Sequence, residues 1–206
     1  MESMDPPRIG IIAFGSLIDD PGEEIRGAEV ERLTGVTTPF PVEFARTSST
    51  RDGAPTLVPV QEGGAPVVAQ VIVLREGLTL EVARDILYRR ETERVGRPDV
   101  RYRPDPEKRN QVYIEDSPDL AGLDYVLHTR ISANIDPLTS ATLVDLAIAS
   151  ARGPSGETGR DGITYLQRAL INGIRTPLSE AYREGILKAT GASDLIGALA
   201  AVRAVE

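Results

Sequence analysis

The order of strand-like and helix-like segments is the feature that most constrains how this 206-residue chain can fold. Short runs rich in Val, Ile, Tyr and Phe fill the first two-thirds and predict β-strands. These runs are Arg8–Phe14, Pro41–Thr47, Thr56–Val60, Val67–Leu74, Gln111–Glu115 and Asp124–Ser132. Turn signals separate them at Asp52-Gly53, Gly63-Gly64 and Asp116-Ser117-Pro118-Asp119. The length favours one domain over residues 1–206, large enough to bury a core.

Helical segments dominate the last third of the chain. Their predicted N-termini lie at Asp136-Pro137, Asp161, Thr176-Pro177 and Ser193. The first of them should run to Arg152, just before a glycine. One earlier helix is expected at Thr79–Arg94, with Thr79 as its N-cap. Strands first and helices last predict an α+β fold, in which a small, curved mixed β-sheet or barrel is covered by helices.

Composition limits the partners that this chain can have. A net charge of −8 and a pI near 4.9 argue against a nucleic-acid partner, because phosphate binding needs clustered positive charge. We expect no membrane span, since no run approaches the ~20 apolar residues that one needs. The polar stretch Met1–Arg8 lacks the apolar core of a signal peptide, and the absence of cysteine fits a cytoplasmic protein. Nearly all positive charge is arginine, which is typical of a GC-rich, bacterial genome.

The residue inventory restricts the chemistry further. One histidine, His128, and no cysteine leave no expected metal site, and no glycine-rich or Walker loop predicts a nucleotide cofactor. Ser16 is followed by Leu17 and therefore lacks the Gly-x-Ser-x-Gly elbow of many hydrolases. Metal-free acid–base chemistry by a carboxylate, assisted by backbone donors, is the interpretation that fits best. A small hydrolase using Ser16 and His128 stays open as an alternative.

The predicted helix at Thr79–Arg94 contains the candidate carboxylates. Its apolar stripe is formed by Val82, Ala83, Ile86 and Leu87. Glu91 borders this stripe one turn beyond Leu87, and Glu93 lies about as close on its other side. Arg90 lies nearest the centre of the stripe, so either the helix ends there or Arg90 pairs with a buried group. Periodicity alone does not choose between Glu91 and Glu93.

Three motifs in a fixed order carry a family resemblance. The first is the apolar strand that starts at Ile9 and ends in the turn Phe14-Gly15-Ser16-Leu17, and the second is Tyr88-x-x-Glu91. The third is Arg152-Gly153-Pro154-Ser155-Gly156, followed by Tyr165-Leu166. In this order and spacing the chain resembles the γ-glutamyl cyclotransferase family, especially its glutathione-specific branch. The resemblance extends thinly from Ile9 to about Leu195.

The resemblance implies a function for each matching position. Phe14, Gly15, Ser16 and Leu17 would hold the γ-glutamyl group of a small-molecule substrate. Glu91 would be the catalytic acid–base residue. The implied reaction is attack of the substrate's α-amine on its own γ-carbonyl, which releases 5-oxoproline and an amine without metal or cofactor.

The chain also departs from the family pattern, and other interpretations stay open. The family usually has tyrosine where Phe14 stands, and the nearest aromatic residue after Glu91 is Tyr102, behind an Arg/Pro-rich segment. We therefore expect a γ-glutamyl substrate, of which glutathione is one candidate, with Tyr102 as a further contact. The segment Gly96–Lys108 is either a surface connection or a flap over the site. The main alternative is a non-catalytic protein of the same fold that binds a small carboxylate or a partner, and a homodimer stays open.

Overall fold

The computed structural model describes residues 6–108 and 110–204. The chain divides into two compact units, each built from two stretches of sequence. The first unit comprises the residues up to Pro39 together with Ala69–Ile131. The second comprises Phe40–Val68 and the residues from Ser132 onward.

Both helices and strands are present in the described residues. The strands are β1 (Ile9–Ala13), β2 (Glu29–Thr37), β3 (Val42–Ser48), β4 (Ala54–Pro59), β5 (Val68–Leu74), β6 (Tyr113–Pro118) and β7 (Tyr125–Arg130). The helices are α1 (Ser16–Asp19), α2 (Glu23–Ala28), α3 (Leu80–Glu91), α4 (Ser140–Arg152), α5 (Pro154–Glu157), α6 (Gly162–Ile171), α7 (Ser179–Thr190) and α8 (Leu195–Arg203). The α+β class and the helical last third are therefore confirmed.

A five-stranded mixed sheet forms the centre of the first unit, in the order β2-β5-β1-β7-β6. Strand β1 is antiparallel to β5 and parallel to β7, with Ile11 opposite Ile72 on one side and Leu127 on the other. All five residues of β1 are buried, which explains why its sequence is a continuous apolar run rather than an alternating one. Because β1 is the central strand and is paired on both sides, its C-terminal end holds the start of the following turn in place.

Helix α3 packs on this sheet and carries the residues that matter most for the site. The Oγ1 atom of Thr79 accepts the N–H of Val82 at 3.2 Å, so Thr79 is the N-cap that the sequence predicts. Ala83 and Leu87 of the apolar stripe are fully buried. The helix ends at Glu91, one residue after Arg90, the charged residue nearest the centre of the predicted stripe.

The second unit combines an antiparallel pair, β3 and β4, with α4 to α8. An aromatic cluster forms part of its core: the ring of Phe44 lies edge-on to those of Tyr165 and Tyr182, at centroid distances of 6.3 and 5.4 Å. The hydroxyl of Tyr165 accepts the backbone N–H of Leu57 on β4 at 3.3 Å. The third sequence motif thus contributes to the packing of helices on this pair of strands.

Several predicted boundaries are wrong, each for a local reason. Strand β2 was not predicted, because it lies at the edge of the sheet and has no fully buried residue. The short helices α1 and α2 were not predicted either. The segment Asp116–Pro118 is not a turn, since β6 stays paired with β7 as far as Pro118. The edge position of β6 accommodates that proline.

The helix N-termini in the second unit differ from the predicted ones. Helix α4 is capped by Thr139 instead of Asp136, and α8 by Asp194 instead of Ser193. Helix α7 has Leu178 at its N-cap and no side-chain cap, because Thr176 bonds to a buried glutamate. Asp161 caps α6 as predicted.

No single helix in the part of the chain that the structure describes is long and apolar enough to cross a membrane. Helices α7 and α8 together have the length and apolar composition of a span, but the chain bends by 43° at the break between them. The longest described helix, α4, has 13 residues, whereas a span needs about 20.

The cap of α6 gives a stability prediction for the second unit. Asp161 is fully buried and accepts the N–H groups of Ile163 and Thr164 at 2.8 and 2.9 Å. We expect Asp161→Ala to lower the free energy of unfolding by about 2 kcal/mol, because one buried and one partly buried N–H donor lose their acceptor. Asp161→Asn keeps a cap oxygen and should cost less than half as much. Urea unfolding of both variants measures this, and equal losses would contradict it.

Candidate active site

The turn after β1 forms one side of the candidate site in the first unit. Gly15 has φ 72° and ψ −138°, a conformation that residues with a side chain rarely adopt, and it leads into α1. Gly15 and Leu17 are buried, whereas Phe14 and Ser16 are partly exposed. The backbone of the turn is fixed by the N–H of Ile18, which donates to the carbonyl of Gly15 at 3.2 Å.

The end of α3 forms the other side, and an arginine joins the two. The guanidinium of Arg90 donates from Nη1 to Oε1 of Glu91 at 2.7 Å and from Nη2 to Oγ of Ser16 at 3.2 Å. It also donates to the carbonyl oxygen of Asp20, from Nη2 at 2.6 Å and from Nε at 3.1 Å. We call Arg90 with these three partners the Arg90 bridge. The Glu91 carboxylate and the Ser16 hydroxyl of the turn are thus hydrogen-bonded to the same guanidinium.

The bridge is shielded and packed closely. The side chains of Arg90 and Glu91 are only 16% and 22% exposed. Gly22 lies against the aliphatic stem of Arg90, where an added Cβ would come within 3.2 Å of the arginine Cγ. Because Gly22 has φ 79°, both the space and the backbone conformation favour glycine there. The arginine stem therefore has little room to move toward α2.

The structure separates the two candidate glutamates. Glu91 is the last residue of α3 and reaches Ser16 through Arg90, not by a direct bond. Glu93 follows the helix end, is exposed and has a positive φ of 56°. The position of Arg90 on the apolar stripe also predicts a partner for its charge, and Glu91 supplies one. Of the two carboxylates, Glu91 is the one held beside the Phe14–Leu17 turn.

Tyr102 lies on the sheet side of α3 with its hydroxyl engaged. The hydroxyl oxygen accepts the backbone N–H of Ile114 on β6 at 2.9 Å, and the Tyr102 N–H donates to Asp85 at 2.7 Å. Its ring lies 5.5 Å from that of Tyr88. The hydroxyl thus has a structural partner, and a contact between Tyr102 and a substrate stays a prediction.

Two buried charged residues on α3, one turn apart, form hydrogen bonds with the segment Val100–Tyr102 that follows the helix. Asp85 is 2% exposed and accepts from Arg101 Nη1 at 2.6 Å as well as from the N–H of Tyr102. Arg89 is 5% exposed and donates to Glu24 at 2.7 Å and to the carbonyl of Val100 at 3.0 Å. Sequence reasoning missed both residues. The available signal for Arg89 was its position one helical turn after Ile86, at the border of the apolar stripe, where an unpaired charge would be costly.

Two other buried ionisable groups, Glu43 and His128, also have structural partners. In the second unit, burial raises the pKa of Glu43, while its oxygens accept from Thr176 Oγ1 at 2.6 Å and from the N–H groups of Phe44 and Leu178. In the first unit, burial lowers the pKa of His128, whose Nε2 lies 3.5 Å from Glu115. The observed partner of Ser16 is the Arg90 cation, which is not a base. Among the described residues, no group of three or more His, Cys, Asp or Glu side chains is placed to hold a metal.

The pair of Arg89 and Glu24 gives a prediction of pH-dependent stability. The hydrogen bond from Arg89 holds the pKa of Glu24 below its ordinary value of 4.5. Glu24→Gln should therefore cost about 2 kcal/mol of unfolding free energy at pH 7, because Arg89 stays buried without its counter-charge. The stabilisation is present above pH 4.5 and disappears as pH falls through the lowered pKa.

The measurement is urea unfolding of both proteins from pH 7 down to pH 3. We expect the difference between wild type and Glu24→Gln to shrink below pH 4.5. Glu23→Gln is the matched control, since Glu23 is exposed on the same helix. A difference that does not change with pH would contradict the ion pair.

Comparison with known proteins gives no independent information on this site. No protein-family model matches this sequence, and no curated protein matches it. The resemblance to the γ-glutamyl cyclotransferases consequently rests on the three sequence motifs. What the structure adds is the Arg90 bridge, which brings the first of these motifs to the carboxylate of the second.

Proposed function

We propose that this protein is a bacterial, cytoplasmic γ-glutamyl cyclotransferase with Glu91 as its acid–base residue. The observation that carries the proposal is the Arg90 bridge, in which a largely covered carboxylate is held beside the Gly15-Ser16 turn. A carboxylate with one oxygen bonded to arginine keeps its second oxygen for a substrate proton. The fold class is compatible with this function, which the sequence resemblance suggests.

The proposed reaction needs only groups of this site and of the substrate. The nitrogen of the substrate's α-amine attacks the γ-carbonyl carbon, and Glu91 accepts the proton that this nitrogen loses. Backbone N–H groups of the turn at Gly15–Leu17 would stabilise the developing oxyanion, a contribution of roughly 3 kcal/mol per donor. Glu91 then gives its proton to the leaving nitrogen as the original γ-amide bond breaks. The products are 5-oxoproline and a free amine.

One observation favours the non-catalytic alternative. The Arg90–Glu91 ion pair is short, at 2.7 Å, and such a pair can serve structure alone. A protein of this kind would bind a small carboxylate or a partner at the turn and would not need Glu91. The hydrolase alternative is less well supported, because Ser16 needs a base to become a nucleophile and its observed neighbour is a guanidinium.

Replacing the two glutamates tests the proposal. Glu91→Gln keeps the size and the hydrogen-bonding reach but removes the base, so 5-oxoproline release should fall by a factor of about 10²–10⁴. Glu93→Gln is the control and should change the rate little. The assay follows 5-oxoproline from a panel of γ-glutamyl amines, γ-glutamyl amino acids and glutathione.

The outcomes separate the alternatives. No release from any member of the panel by the wild type would favour the binding protein. A wild type that is active while Glu91→Gln keeps full activity would reject Glu91 as the acid–base residue. Loss of activity in His128→Ala, with Glu91→Gln active, would favour the hydrolase.

The same assay tests whether a metal is required. We expect EDTA to leave the rate unchanged, because the substrate supplies its own nucleophile and Glu91 moves the proton. Dialysis against EDTA followed by readdition of Mg²⁺, Mn²⁺ or Zn²⁺ checks this. Loss of activity on chelation and its return with one of these ions would show that a metal takes part.

A further inference from the structure

Arg90 donates four hydrogen bonds in the candidate site. All three guanidinium nitrogens are used, and their partners come from α1, from the residue that follows α1, and from α3 itself. A guanidinium is planar and presents its N–H groups in a fixed fork. The distance between the two groups that it holds, Ser16 Oγ and Glu91 Oε1, is therefore set by the geometry of one rigid group.

The bond to Ser16 also directs the serine proton. A hydroxyl has one proton to donate and two lone pairs that accept. Since Ser16 Oγ accepts from Arg90, which has no lone pair to offer in return, the serine O–H must be donated elsewhere. If the proposed function holds, an oxygen of the bound γ-glutamyl group would be an acceptor for this proton.

Contacts within the protein hold Arg90 in position. Two bonds to the carbonyl of Asp20 and the close contact with Gly22 hold the guanidinium and its stem from one side. The side chain is 16% exposed, so its conformational freedom is already reduced before any substrate binds. Such preorganisation lowers the cost of reaching the reactive geometry.

We infer that Arg90 is a positioning residue, which fixes the Glu91 carboxylate and orients the Ser16 hydroxyl toward the substrate. This inference rests on the proposed cyclotransferase function. Its role is distinct from that of Glu91, because Arg90 moves no proton and acts through the two groups that it holds. A lysine cannot replace it, since a single ammonium nitrogen cannot reproduce the fork.

The test uses Arg90→Ala and Arg90→Lys, with Arg84→Ala as the matched control. Arg84 is an arginine of the same helix that pairs with Asp116 at 2.6 Å and takes no part in the bridge. We expect kcat to fall about 10²-fold in both Arg90 variants, while KM changes by less than about threefold. Millimolar guanidinium chloride should restore part of the kcat of Arg90→Ala, and potassium chloride should not. Arg84→Ala should respond to neither salt.

Each result decides between distinct conclusions. If wild type is active and Glu91→Gln is not, but both Arg90 variants keep kcat, the inference fails and the proposed function stands. A rise in KM with unchanged kcat, or a loss of kcat without guanidinium rescue, would also overturn it. If Arg90→Ala does not fold, Arg90→Lys keeps the charge and most of the stem, and its ratio of kcat to wild type gives the answer. A wild type without any 5-oxoproline release removes the function and the inference together.

Discussion

The cost of burying charge on α3 determines how the first unit is arranged around the candidate site. Asp85, Arg89 and Arg90 are each 16% exposed or less, and a charge taken from water must be paired. Their partners come from three different parts of the unit: α2, the turn after β1, and the segment that follows the helix. One helix thereby fixes the neighbours that surround its own C-terminus.

The sequence predicts those elements of the fold whose signals are local. Thr79 and Asp161 are caps that act on N–H groups two or three residues away, so they could be identified without any tertiary information. Strand β2 gave no such signal, because an exposed edge strand needs no apolar alternation. The caps of α4 and α8 fall after Asp136 and Ser193, since the chain offers several capping residues in a row and packing selects among them.

The candidate site was predictable in part. The central position of Arg90 on the apolar stripe predicted a helix end there or a buried partner; the helix ends one residue later, and the partners of Arg90 are partly buried or exposed. The choice of Glu91 over Glu93 came from the resemblance, since helical periodicity places both beside the stripe. The partners of Asp85 and Arg89 could not be deduced, because Arg101 and Glu24 become their neighbours only through the tertiary fold. Pairing of this kind is decided by geometry that no short stretch of sequence contains.

The fastening of the segment after α3 bears on how such a chain tolerates insertions. Hydrogen bonds between Val100 and Arg89 and between Tyr102 and Asp85 hold this segment against α3, the helix that ends in Glu91. Extra length added between Tyr102 and β6 would enlarge a loop whose base is already tied, and closing a longer loop costs only a fraction of a kcal/mol more. Extra length between Glu91 and Val100 would instead interrupt the consecutive turn hydrogen bonds of that stretch, which the N–H groups of Arg94, Arg97 and Val100 donate to the carbonyls of Arg89, Arg94 and Arg97. The two halves of one connection therefore differ in how freely they can vary in length.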